Sequence, residues 1–109
     1  MKRVDFDDKR RTLAQRLAEF RSWSHEALVA KIEYGLFQEC LANFEETFSD
    51  GTRYHMEFNV FWDGEEGGNV RVLGDLNADP HLPIPGTGVY QSQVTDSFIM
   101  APDGSFVGE

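Results

Sequence analysis

Between residues 7 and 20 the apolar side chains Leu13, Leu17 and Phe20 recur three and four positions apart, with Ala14 and Ala18 beside them. Arg11, Arg16 and Glu19 fall on the other side, free to face water. This spacing predicts a short amphipathic helix that starts near Asp7 or Asp8, whose carboxylates suit the unpaired N–H groups of a helix start. A second helix is predicted from Ser24, a good N-cap, with Glu26 in the first turn. Trp23, just before the cap, is placed to pack on Leu28 as a hydrophobic staple. Leu28, Ile32, Leu36, Cys40, Phe44 and Phe48 then follow at intervals of four, and Phe37 and Leu41 widen the stripe. One long helix over residues 24 to about 48 is the expected element, because no polar turn cluster surrounds Gly35. The alternative is two helices jointed at that glycine, which costs roughly 1 kcal/mol relative to alanine inside a helix. Ser49, Asp50 and Gly51 supply the stop.

The period changes after Arg53. Tyr54, Met56, Phe58, Val60 and Trp62 alternate with His55, Glu57 and Asn59, the pattern of a strand laid against the helices, and Phe61 alone breaks it. Residues 63–68, DGEEGG, form a hairpin connection to a second strand in which Val70, Val72 and Leu76 share one parity and Leu73 the other. Gly74 marks either a bulge or a close backbone approach. Residues 78–88 hold three of the four prolines and two glycines, which predicts a loop. Residues 93–109 read as a further hairpin, with Pro102 and Asp103 central in a type I turn, Gly104 at positive φ beyond them, and Met100 opposite Phe106.

A run of helices followed by a run of strands predicts an α+β fold, with two N-terminal helices packed on one face of a mainly antiparallel sheet of about four strands. The 109 residues suffice for one hydrophobic core, so a single domain over residues 1–109 is expected. If three strands align, Phe61, Leu73 and Ile99 meet on the sheet face away from the helices. An apolar cluster there needs cover, from the proline-rich loop through Leu82 and Ile84, from a second copy, or from a partner.

Charge sharpens this picture. Residues 1–33 carry eight basic and six acidic side chains, net +2, whereas residues 34–109 carry two and thirteen, net −11. Such a surface repels phosphate backbones and favours cationic partners, which disfavours nucleic acid except through a basic patch of Arg10, Arg11 and Arg16 on the first helix. Cys40 is the only cysteine, which excludes an internal disulfide and a CxxC pair; within an apolar pattern it reads as an inert, buried thiol. The first residues lack a following apolar stretch, and no run approaches the roughly eighteen apolar residues of a membrane span. A cytoplasmic protein with no membrane association is the expectation.

The acidic segments fail as calcium loops. Counting from Asp63, glycines fall at the fifth and twelfth positions; counting from Asp75, Pro80 replaces the required glycine and Gly86 the closing acid. Asp75, Asn77, Asp79 and His81 alternate along an extended segment and offer N and O donors to one side, so a small metal-dependent hydrolase built on residues 75–81 is one alternative. Asx-turns ahead of Pro80 account for the same residues without a metal. The chain has no GxSxG, P-loop, GxGxxG or HExxH pattern, and no catalytic residue or cofactor is assigned. Composition favours a small acidic, non-enzymatic protein-binding module, in the manner of an inhibitor or immunity protein that opposes a basic partner. Its expected acidic contacts are Glu45 and Glu46 at the end of the long helix, and Asp63, Glu65 and Glu66 in the hairpin turn. Phe61, Leu73 and Ile99 are the expected apolar contacts, and by themselves would serve self-association in a homo-oligomeric structural protein.

Overall fold

A computed structural model of the chain describes residues 6–34, 41–78 and 94–109. Helices α1 (Phe6–Arg21) and α2 (His25–Tyr34) precede four strands, β1 (Ala42–Thr47), β2 (Arg53–Trp62), β3 (Val70–Ala78) and β4 (Val94–Met100). Each strand pairs antiparallel with the next, in the order β1-β2-β3-β4. Both helices lie on the same sheet face, α1 over β3 and β4, α2 over β2 and β3. The predicted α+β class is therefore the observed one.

Helix α1 buries Leu13, Leu17 and Phe20 on the sheet and keeps Asp7 and Asp8 in its first turn. Ser24 caps α2 as its sequence position predicts. Its Oγ accepts the Ala27 N–H at 3.0 Å and its carbonyl accepts the Leu28 N–H at 3.1 Å. Trp23 packs against the core that holds Leu28, its ring 5.6 Å from that of Phe20.

The expected long helix to residue 48 does not form. Helix α2 ends at Tyr34, and residues 42–47 are strand β1; Gly35 and Cys40 lie outside the described residues. The cause is arithmetic: a spacing of four matches one helical turn but is also twice the strand period, so Phe44 and Phe48 satisfy both patterns. Glu46, between them at strand parity, made the alternation harder to see, and it turns inward because Arg16 and the Tyr54 hydroxyl meet it there. Ser49, Asp50 and Gly51 accordingly turn β1 into β2 instead of stopping a helix. Gly51, at φ 93°, donates to the Phe48 carbonyl, and Asp50 Oδ1 accepts the Thr52 N–H at 2.8 Å.

On the sheet, the core draws Tyr54, Met56 and Phe58 from β2, Val70, Val72, Leu76 and Ala78 from β3, and Val94, Phe98 and Met100 from β4. Gly74 shares their side, and the β2–β3 register runs unbroken through Phe58↔Gly74, so there is no bulge. A Cβ at Gly74 would stand 2.6 Å from Phe58 Cε1 and 3.0 Å from Leu13 Cδ1. The glycine is a close-approach site on which the Phe58 ring rests. At the end of β4 the predicted turn forms, with Gly104 (φ 88°) donating to the Ala101 carbonyl at 2.8 Å and Met100 bridged to Phe106. The predicted proline-rich loop, with Leu82 and Ile84, lies outside the described residues.

Gly74→Ala should lower the urea unfolding free energy by about 1–3 kcal/mol through overpacking. Adding Phe58→Leu to it should cost less than the sum of the two single changes, because the smaller side chain vacates the contested space. Additive effects would show that the two residues do not share it.

Candidate functional site

With both helices on one face, alternate residues of each strand are left on the other. Register places these in rows across the sheet: Phe61, Arg71 and Ile99; then Asn59, Leu73 and Ser97; then Asn43, Glu57, Asp75 and Thr95; then Glu45, His55 and Asn77. Phe61, Leu73 and Ile99 thus share the open face as expected, with one addition. Arg71 stands between Phe61 and Ile99, donating to Asp63 Oδ1 from Nε at 3.1 Å and to Ser97 Oγ from Nη1 at 3.1 Å. Its aliphatic stem can extend the apolar strip while its charge is neutralised at the rim. Val107 continues the row, its N–H bonded to the Ile99 carbonyl at 2.9 Å. Among the described residues only Phe6, Phe61 and Val107 are large apolar side chains left exposed, at 58%, 39% and 42%. Two of the three therefore sit at this end of the sheet.

The five acidic candidates separate into two groups. Glu45 and Glu46 lie on β1 and not at a helix end, paired with His55 and Tyr54, whereas Glu65 and Glu66 are exposed in the turn beyond Trp62. Seven strand residues, roughly 23 Å, separate the two places, so they form no single acidic face. Glu45 faces water, but Glu46 is used within the fold. One of its carboxylate oxygens takes a guanidinium N–H of Arg16, and the other accepts the Tyr54 hydroxyl at 2.8 Å. Arg16 also lies 4.4 Å from the Phe44 ring centroid, so this cluster ties α1 to β1 and β2. Burial first, and the bond to Glu46 second, push the Tyr54 hydroxyl up to about 12. Asp63 is held by Arg71. Of the turn candidates, Glu65 and Glu66 are thus the carboxylates available to a partner.

The expected basic patch on α1 is divided as well. Arg16 turns to Glu46, Arg11 approaches Asp8 at 3.5 Å, and Arg10 lies over the Phe6 ring at 5.9 Å. Arg21, at the end of α1, forks onto Glu109 at 2.7 and 2.8 Å and covers the Phe98 and Phe106 rings, holding the Glu109 carboxyl below its ordinary range through the side-chain hydrogen bond.

Next to the hairpin turn is a feature that the sequence did not reveal. His25, Glu26 and Val29 of α2 line a shallow groove of about 390 Å³ with Trp62, Glu66 and Gly67. His25 donates from Nε2 to the Gly68 carbonyl at 2.8 Å, which fixes the start of α2 to the turn, and its ring lies 6.5 Å from that of Trp62. Trp62 reads as a core residue of a strand and His25 as a helix-start residue. Only the packing of α2 over β2 brings them together.

No three His, Cys, Asp or Glu side chains among the described residues converge as a metal site. Asp75 and Asn77 lie on the open face of β3, while Asp79 and His81 lie outside the described residues. No polar or charged described residue is buried, so no described carboxylate sits in the apolar enclosure that separates the proton affinities of an acid and a base. No helix among the described residues is long and apolar enough to cross a membrane. The chain matches no protein-family model, and neither a curated protein nor a solved structure shows significant similarity to it.

The two neighbouring glutamates on β1 should behave differently. Glu46→Gln should destabilise by about 1 kcal/mol, the partly exposed ion pair having been discounted for solvent, and Glu45→Gln by less than about 0.5 kcal/mol; urea denaturation distinguishes them. The raised Tyr54 value means that its neutral form supports the fold: the contribution is intact below pH 10 and is lost as pH rises through about 12. Tyr54→Phe should flatten that alkaline loss. An unchanged alkaline profile would remove the tyrosine from the cause.

Proposed function

We propose that the chain is a single-domain, non-enzymatic protein-binding module that meets a basic partner with the β2–β3 hairpin end of its sheet. The observation that carries this reading is a juxtaposition. Exposed Phe61 and Val107 lie in one row with Ile99, and the exposed carboxylates of Glu65 and Glu66 follow in the turn beyond β2. Apolar contacts that lose their water supply affinity, while a charged rim speeds and orients encounter. Leu73, half-buried in the adjacent row, extends the apolar part. Arg71, within this row, is neutralised by Asp63, so it sets no net positive charge against a basic partner. An inhibitor-type role belongs to the same reading, since occupying a basic surface is sufficient to block it.

Self-association through Phe61, Leu73 and Ile99 is the competing use of the surface. A twofold pairing of this end would bring Glu65 and Glu66 of two copies toward each other, and like charges brought together oppose such a contact. Partner binding suits both the apolar and the acidic features, whereas self-association suits only the first.

Affinity capture from cells with the native chain, Phe61→Ser and the Glu65→Gln/Glu66→Gln pair in parallel tests this reading. A basic protein held by the native chain should be lost with Phe61→Ser, and should associate more slowly and with a shallower salt dependence for the glutamine pair, all three chains remaining folded. Equal retention by all three removes the hairpin end from the interface. Dimerisation of the pure native chain in sedimentation, abolished by Phe61→Ser alone, assigns the surface to self-association instead.

A further inference from the structure

We infer that the groove between α2 and the hairpin turn is a seat for one cationic side chain, an arginine or lysine carried by the basic partner. This rests on the partner reading above but can be tested without any partner. Its parts are those by which proteins hold organic cations. Trp62 and Val29 give the groove an aromatic and an aliphatic wall, and Glu26 and Glu66 reach it from two separate elements, the first turn of α2 and the hairpin. Both carboxylates are exposed, and neither has an ion pair with a described residue. A cation over an indole face gains from the ring quadrupole, and gains more when a carboxylate completes its hydrogen bonds.

His25 is the remaining polar wall. Donation from Nε2 to the Gly68 carbonyl holds its ring beside Trp62 and keeps the two elements together, so the groove exists before anything occupies it. The positive end of the α2 dipole opposes a cation at this place, but Glu26 lies in that same first turn and offsets it. An anion would meet two carboxylates, and a purely apolar group would strip water from both without pairing either. Charge complementarity therefore selects a cation with an apolar stem, such as the side chain of arginine or lysine.

N-acetylarginine amide, with N-acetylnorleucine amide as the uncharged control, tests the seat directly. Titrated into the folded chain and followed by the indole N–H resonances of its two tryptophans, the arginine probe should shift Trp62 saturably and leave Trp23 in place, and the norleucine probe should shift neither. The Glu26→Gln/Glu66→Gln variant changes only exposed groups and should fold normally, yet weaken the arginine shift at least about fivefold, which corresponds to roughly 1 kcal/mol. No saturable shift, or an equal shift in the variant, overturns the inference while leaving the apolar hairpin surface untouched. Conversely, saturable binding of the probe together with failure to retain any basic protein would keep the cation seat and remove the partner.

Discussion

The described helices lie together on one side of the sheet, and the rest of the architecture follows from that asymmetry. It depends on a tight seat at the middle of the covered face, where the Phe58 ring lies on Gly74 under Leu13 of α1. With any larger residue at position 74, the ring and the helix would be pushed away from the sheet, and Leu17 and Phe20, which follow Leu13 along α1, would lose their register with the strands. Once β2 and β3 are fixed in this way, period two decides the other face. Phe61 must point away from the helices because Phe58 and Trp62 have the opposite parity. The apolar end of the open face is therefore a consequence of the core's register, and a one-residue slip would exchange the two faces.

Arginine use explains where the acidic excess remains available. Arg16, Arg21 and Arg71 each take a carboxylate, Glu46, Glu109 and Asp63 respectively, and each pairing joins elements distant in sequence or braces a strand end. Arg16 and Arg21 also cover aromatic rings, so they pack as much as they pair. The strongly negative residues 34–109 have only Arg53 and Arg71 of their own. Their acids are thus matched partly by the basic N-terminal helix and otherwise left at the surface, among them Glu45 on β1 and Glu65 and Glu66 at the hairpin. Charge segregation in the sequence becomes cross-linking in the fold.

Much of this was legible in the residues. Helix periodicity located α1, Ser24 announced the start of α2, and alternation in residues 54–62 and 70–76 identified the central strands. Even the Met100–Phe106 pairing followed from the Pro102-Asp103-Gly104 turn. Strand β1 was hidden because Phe44 and Phe48, the latter just beyond its end, also obey a four-residue spacing and because inward-facing Glu46 looks like a surface residue until Arg16, thirty positions earlier, is brought to it. The same limit applies to the candidate surface. Phe61, Leu73 and Ile99 share a face by parity alone, so sequence sufficed; the groove of His25, Glu26, Val29 and Trp62 requires the helix to be laid over the strand, which no local pattern specifies.

We propose that contact is made at the hairpin end and not at the β1 end of the sheet. Amide hydrogen exchange measured on the free chain and on the chain bound to the protein it retains from cells tests it most directly, because the method reports every strand without altering a residue. Slowed exchange confined to residues 25–29, 61–73 and 99–107 is the expected result. Slowed exchange in residues 42–47 and 53–57, with the hairpin turn unchanged, would contradict it.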